Sequence, residues 1–228
     1  MTDRPLEVLY EDNHCLAVAK PAGVLMVGDE TGDETLLDQA KDWLRENYNK
    51  PGNVFLGVVH RLDRPVSGVA LYARTSKSAS RLADQFRRGT VEKIYNAWVD
   101  GSPPNGSQTL TDWLLKNRDT NTTRVVSEGA SGAKLSALEF HVVARDAGRS
   151  LLEIRPKTGR SHQIRVQLSS RGWPILGDVK YRGPEGNNAS AIALHARSLT
   201  VQHPTQKIEI EIASNPPLDW AKWFDVPV

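Results

Sequence analysis

Asp63 stands between two arginines in the segment HRLDRPVSG, residues 60–68, where a short apolar run gives way to a turn. A carboxylate presented at a strand end can serve as a nucleophile or as a general base. Flanking Arg61 and Arg64 would keep it ionised and lower the cost of bringing it to a polyanion. Pro65 fixes one backbone angle, and Gly68 is free to take angles closed to other residues. The plainer use of the same residues is a surface ion pair between Asp63 and a neighbouring arginine.

A second segment, RPKTGRSHQIRVQLSSRGWPILGDVKY, residues 155–181, is dense in the donors a phosphate backbone accepts. TGRSHQ reads as a glycine-bearing turn entering a helix, whose open N–H groups can hold a phosphate or a carboxylate. Arg165 falls in the first turns of that helix and is a candidate partner for Asp63. The alternative is an ordinary helix start capped by Thr158 or Ser161, with its arginines in water.

Metal chemistry is not indicated. His162, His195 and His203 fall on separate elements without ligand spacing, and the single cysteine, Cys15, excludes a cysteine-rich zinc site. Cys15 lies in an apolar run and reads as a small buried residue. A nuclease or phosphatase would need acidic side chains clustered around a metal, and the Asp63 segment supplies no second carboxylate.

The elements that must position these residues alternate between short strands and helices. LEVLYED and CLAVAKP form a strand pair turning at Asp12-Asn13. TLLDQAKDWLRENY has helical spacing at Leu36, Leu37, Ala40, Trp43 and Leu44. VSGVALYAR reads as a strand, and TSKSASRLADQFRRG as a helix capped by Thr or Ser and ended by Gly89. KIYNAWVDG is a strand. SALEFHVVAR and SLLEIRP flank a turn at Asp146-Ala147-Gly148. SHQIRVQLSSRG is a helix with Ile164 and Leu168 inward, and AIALHARSLTVQHP with KIEIEIA closes the chain as a strand pair. The fold class is therefore α+β, a mixed and mainly antiparallel sheet with flanking helices. Without a long linker, residues 1–228 read as one domain.

Charge is unevenly placed along the chain. Residues 1–59 carry 5 Lys or Arg against 11 Asp or Glu, residues 60–95 carry 8 against 3, and residues 141–182 carry 9 against 3. The two basic blocks contain the two chemistry-bearing segments, so they should gather around one cleft that attracts a polyanion. No apolar run is long enough for a membrane helix, and the first residues lack a signal-peptide pattern. Together with a lone cysteine, this suggests a reducing cytoplasm.

Four motifs in order then resemble the RluA-type family of RNA pseudouridine synthases. HRLDRPVSG is similar to the family's HRLDxxTSG. KIYNAWVDG resembles the strand that carries its active-site tyrosine. KTGRSHQIRVQLSSRGWPILGDVKY resembles TGRTHQIRVHL followed by GxPIxGDxxYG, and LHARSLTVQHP resembles LHAxxLxFxHP. The departures are Val66 for a frequent Thr, Ser161 for Thr, Gln167 for a frequent His, and Arg182-Gly183 where Gly commonly follows Tyr181 directly.

The resemblance implies a pseudouridine synthase fold with a central active-site cleft, in a short form without an N-terminal RNA-binding domain. It implies that Asp63 is the catalytic carboxylate, that Arg165 pairs with it, and that Tyr95 stacks on the target base. It also implies that Arg61 reaches toward the RNA. The expected partner is transfer RNA or large-subunit ribosomal RNA, acted on by a monomer without cofactor or metal. An RNA-binding protein of this fold without catalysis is the other class open to the sequence. His60 reads as a loop-orienting residue and Asp178 as one that ties down a loop near the site. Trp98, Trp113, Trp173, Trp220 and Trp223 read as packing residues.

Overall fold

The computed structural model describes residues 5–49 and 51–227. In chain order the elements are β1 (Val8–Glu11), β2 (Cys15–Lys20), α1 (Leu36–Asn47), β3 (Gly57–Val58), β4 (Ser67–Ala73), α2 (Ser76–Arg88) and β5 (Glu92–Asp100). There follow β6 (Gln108–Asn117), β7 (Thr122–Val126), β8 (Lys134–Asp146), β9 (Arg149–Pro156), α3 (Gln163–Ser169), β10 (Leu194–Gln202), β11 (Glu209–Ala213) and α4 (Trp220–Phe224). A single 3-10 turn covers Val179–Tyr181. The α+β class expected from the sequence is the one observed, and the strand pairs with resolved register all run antiparallel.

The chain divides into two compact units, residues 1–92 with 196–215, and residues 93–195 with 216–228. In the first unit the strand order is β1-β2-β4-β10-β11, with β3 alongside β4. Alternate residues of β2 and β4 share a face, and Cys15, Ala17, Val69, Leu71 and Ala73 pack there with Leu199, Val201, Ile212 and Leu82 of α2. Both faces of β4 are buried, Tyr72 pointing away from that cluster to within reach of Met26. The capping signals read from the sequence for α2, and the turn read at Asp12-Asn13, are used. The Thr75 hydroxyl accepts from the Ser78 N–H at 3.1 Å, and Gly89 ends α2 in the left-handed region. Asp12 accepts from the N–H groups of His14 and Cys15, both at 2.7 Å, closing the turn between β1 and β2.

Gly68 opens β4 with φ 121, and a Cβ there would sit 2.3 Å from the carbonyl oxygen of Ala196. Only glycine combines that backbone angle with so close an approach of β10.

In the second unit the order is β5-β9-β8-β6-β7. Ala147 and Gly148 both take positive φ between β8 and β9, the mirror-image turn whose twist suits a hairpin. The hairpin of β6 and β7 was not anticipated. Its strands are largely half-exposed, so apolar alternation is weak, and its turn rests on Asn117, whose side chain accepts from the N–H groups of Asp119 and Thr120. The short helix α4 was likewise not anticipated.

The expected helix at residues 161–172 is shorter, and its start differs. α3 begins after His162, itself left-handed at φ 53, and neither Thr158 nor Ser161 caps it. Six successive residues from Gln163 to Leu168 are buried, so Ile164 and Leu168 are part of a helix enclosed all round. Thr158 instead donates to the Gln163 side-chain oxygen at 2.7 Å. No helix among the described residues is long and apolar enough to cross a membrane.

Candidate active site

Asp63 lies half-buried on the loop between β3 and β4, whose backbone is fixed at several points. The Val66 N–H donates to the Asp63 carbonyl at 3.0 Å, closing a tight turn. The Gly23 N–H donates to the Arg64 carbonyl at 2.9 Å. His60 holds the loop's entry. Its Nε2 accepts from the Leu71 N–H at 2.9 Å, and its ring stacks on Phe86 with centroids 4.9 Å apart. Leu62 and Val66 turn inward and are buried, and Arg61 points to solvent.

The two arginines flanking Asp63 differ. Arg64 donates to the Gly23 carbonyl at 2.9 Å and to Asp33 at 2.7 Å, so it braces the loop. Arg61 is exposed and makes no hydrogen bond or ion pair among the described residues.

Lys20, at the end of β2, was not singled out in the sequence. It is 2% exposed, and its ammonium donates to the carbonyls of Pro21, Arg64 and Val66 at 2.9, 2.9 and 2.6 Å. Burial pulls its pKa down from 10.5 to about 7, with the Asp63 charge pulling the other way and Arg64 adding to the fall. A lysine closing an otherwise apolar strand, just before a proline, was the available signal.

In the second unit, Arg165 of α3 is 5% exposed and meets Asp178, 1% exposed, in a two-pronged pair. Its Nε and one terminal nitrogen each lie 2.7 Å from a carboxylate oxygen. Its guanidinium carbon also stands 5.0 Å from the Tyr181 ring centroid. The Tyr181 hydroxyl accepts from the Thr123 N–H at 2.8 Å and lies 2.7 Å from His162 Nδ1. Burial pushes the Tyr181 pKa up. Arg165 thus has a buried carboxylate partner, Asp178, thirteen residues along the chain. Tyr95 is half-buried in β5, in register with Ile154 of β9.

One cluster has the atom types of a metal site. Ligand atoms of Asp12, Cys15 and His203 lie within 4.8 Å of one another. Their capacity is already used. Asp12 also accepts from the Tyr10 hydroxyl at 3.1 Å and lies 2.6 Å from His203 Nε2, and His203 Nδ1 accepts from the Gln206 N–H at 2.9 Å. Burial, with Asp12 nearby, pushes the Cys15 thiol up to about 12, away from the thiolate a metal needs. The cluster is a hydrogen-bonded clamp between the β1–β2 turn and the end of β10.

The profile of RNA pseudouridylate synthase matches residues 14–170. A ribosomal large subunit pseudouridine synthase D of Zymomonas mobilis is 32% identical over 233 residues, covering 97% of this chain and 73% of that protein. Human RNA pseudouridylate synthase domain containing 1 superposes with a TM-score of 0.75 at 26% identity, over 96% of this chain and 88% of that one. Human RNA pseudouridylate synthase domain containing 4 shares the fold, with a TM-score of 0.78 at 22% identity over 95% and 90% of the two chains. The profile match over residues 14–170 and the 32% identity to the Zymomonas protein place the chain in the RNA pseudouridylate synthase family, isomerases that act on RNA.

Proposed function

We propose that this chain converts uridine to pseudouridine in large-subunit ribosomal RNA, with Asp63 as its catalytic carboxylate. The observation that carries this reading is the presentation of Asp63, half-exposed on a loop held through its own backbone and flanked by the solvent-facing Arg61. The ribosomal substrate is supported by the name of the Zymomonas relative.

The reaction breaks the C1′–N1 bond, turns the base, and joins C1′ to C5. The C5 proton leaves and N1 takes one up, so no oxidant, imported group or cofactor is required. Asp63 acts at the sugar, as nucleophile or as base. In this proposal Arg165 keeps that carboxylate ionised and aimed, Tyr95 stacks on the base, and the Tyr95 hydroxyl assists the late proton transfer. Arg61 occupies the space left by the extruded nucleotide. Unstacking a base costs a few kcal/mol, which such contacts must offset. We further propose that residues 1–228 act as one catalytic domain, as a monomer, in the cytoplasm.

Two measurements test the reading. Asp63→Asn keeps the side chain's shape and removes its nucleophilicity and basicity, so turnover should vanish while RNA binding persists. Turnover near the parent level would overturn the assignment of Asp63. Pseudouridine mapping in cells with and without the gene should show sites lost from large-subunit ribosomal RNA. Losses confined to transfer RNA would overturn the substrate.

A further inference from the structure

We propose that the tip of the β6–β7 hairpin and the adjoining 3-10 turn form an RNA surface of the second unit, one that grips the phosphate backbone of a double-stranded stem. The inference rests on the substrate being RNA, and not on which residue reacts.

Four basic side chains are displayed there. Lys116 lies near the end of β6, Arg118 stands in the hairpin turn, Lys180 is in the 3-10 turn, and Arg182 follows it. All four are exposed. Residues 116–124 and 179–182 together carry five Lys or Arg against one acid, Asp119. None of the four forms an ion pair among the described residues. Other surface arginines do find acids, as Arg45 finds Asp42 and Arg87 finds Asp84. Like charges gathered without partners repel one another, and a polyanion removes that cost.

The two segments are pinned together. Lys180 Nζ donates to the Asn121 carbonyl at 3.4 Å, and the Thr123 N–H donates to the Tyr181 hydroxyl at 2.8 Å. The hairpin turn is also fixed from within, by the Asn117 side chain and by the Thr120 and Thr122 hydroxyls, 2.8 Å apart. With the backbone ordered in advance, binding costs only the rotamer freedom of the four side chains. Strand alternation sorts the hairpin's charges. Lys116 pairs with Thr123 and shares the face that meets Tyr181, whereas Arg124 points the opposite way.

The chemistry fits a stem better than a single strand. Single-strand grooves combine charge with aromatic faces on which bases stack. Among these charges the exposed neighbours are Val179, Asp119, Thr120 and Asn121, while Tyr181 is buried with its hydroxyl already bonded. Such a surface meets phosphates and does not read bases, and double-stranded RNA is held through its backbone and shape. The substrate class is therefore RNA whose target uridine is flanked by a helix.

The test is binding of the full chain to a mixed-sequence RNA duplex of about 20 base pairs and to oligouridine of equal length, from about 50 to about 200 mM salt. Lys116→Gln, Arg118→Gln, Lys180→Gln and Arg182→Gln combined should melt as the parent does. At roughly −0.9 of log–log slope per duplex phosphate, the parent's affinity should fall about 100-fold more than this variant's across that range. Arg118→Gln alone should flatten the slope by about 0.9, a readout that survives if the fourfold variant does not fold. Arg124→Gln, on the opposite face, should shift it by less than about 0.3, and oligouridine affinity should change less than about threefold in the fourfold variant. Equal duplex slopes for the parent and the fourfold variant overturn the proposal. So does an Arg124→Gln effect as large as that of Arg118→Gln, which would mean diffuse charge and no surface. A loss on oligouridine equal to that on the duplex overturns the stem as occupant. If Asp63→Asn is inactive while the slopes stay equal, this inference fails and the assignment of Asp63 stands. If Asp63→Asn is active while the slopes separate, the assignment fails and the RNA surface stands.

Discussion

Arg165 and Asp178 meet in a buried pair whose two contacts are each 2.7 Å, with Tyr181 beneath the guanidinium. A buried charge left without its partner is costly, whereas replacing both partners by apolar groups is often neutral. Asp178→Ala should therefore lower unfolding stability by about 3–5 kcal/mol. The double variant Arg165→Met with Asp178→Leu should recover most of that loss in urea unfolding and none of the turnover. Recovery of turnover would show that Arg165 supports the fold alone.

The two arginines beside Asp63 should separate in a salt titration. Each phosphate engaged by a single strand contributes about −0.7 to the log–log slope of affinity against salt. Arg61→Ala should make the slope shallower by about that amount without moving the melting temperature. Arg64→Ala, which removes an exposed ion pair with Asp33, should cost at most about 1 kcal/mol of stability and leave the slope nearly unchanged. Equal slopes for the parent and Arg61→Ala would show that Arg61 does not touch the phosphates.

Gly68→Ala should yield little folded protein. A methyl group there would stand 2.3 Å from a main-chain oxygen of Ala196, and neither strand can step aside without breaking its pairing. Soluble expression with a parent-like melting temperature would refute the close packing of β4 and β10.

Acid should release the Asp12 clamp. Burial works to raise the Asp12 pKa, but hydrogen bonds from His14, Cys15, His203 and Tyr10 together hold it below the usual 3.8. A depressed carboxylate contributes stability above its unfolded pKa and loses it as pH falls through the folded value. Asp12→Asn should thus be less stable than the parent at pH 7, and the gap should close as pH falls below 3.8. A gap that stays constant to pH 2 would show that the carboxylate charge is not what the clamp uses.

Much of the fold was legible because its signals are local. Thr75 and Gly89 bracket α2, and Asp146-Ala147-Gly148 marks a hairpin, as the sequence indicated. The β6–β7 hairpin escaped because half-exposed strands carry little apolar rhythm. Of the candidate site, the turn that carries Asp63 was legible through Pro65 and Gly68. The Asp178 partnership of Arg165 depends on a fold-back that places residues thirteen apart in contact. The role of Lys20 was hidden for another reason: its acceptors are peptide carbonyls, which every residue carries and no sequence spells out.

That last feature bears on mutational tolerance. Much of the loop's shape is specified by oxygen atoms common to all twenty amino acids, so substitutions at position 66 can accumulate without moving Asp63, provided the residue there still fills its buried niche. Val66 is a case in point. Its carbonyl receives the lysine, and no hydroxyl is called upon. The rim of this loop can therefore change side chains while the carboxylate keeps its place, so long as the lysine more than forty residues upstream is kept.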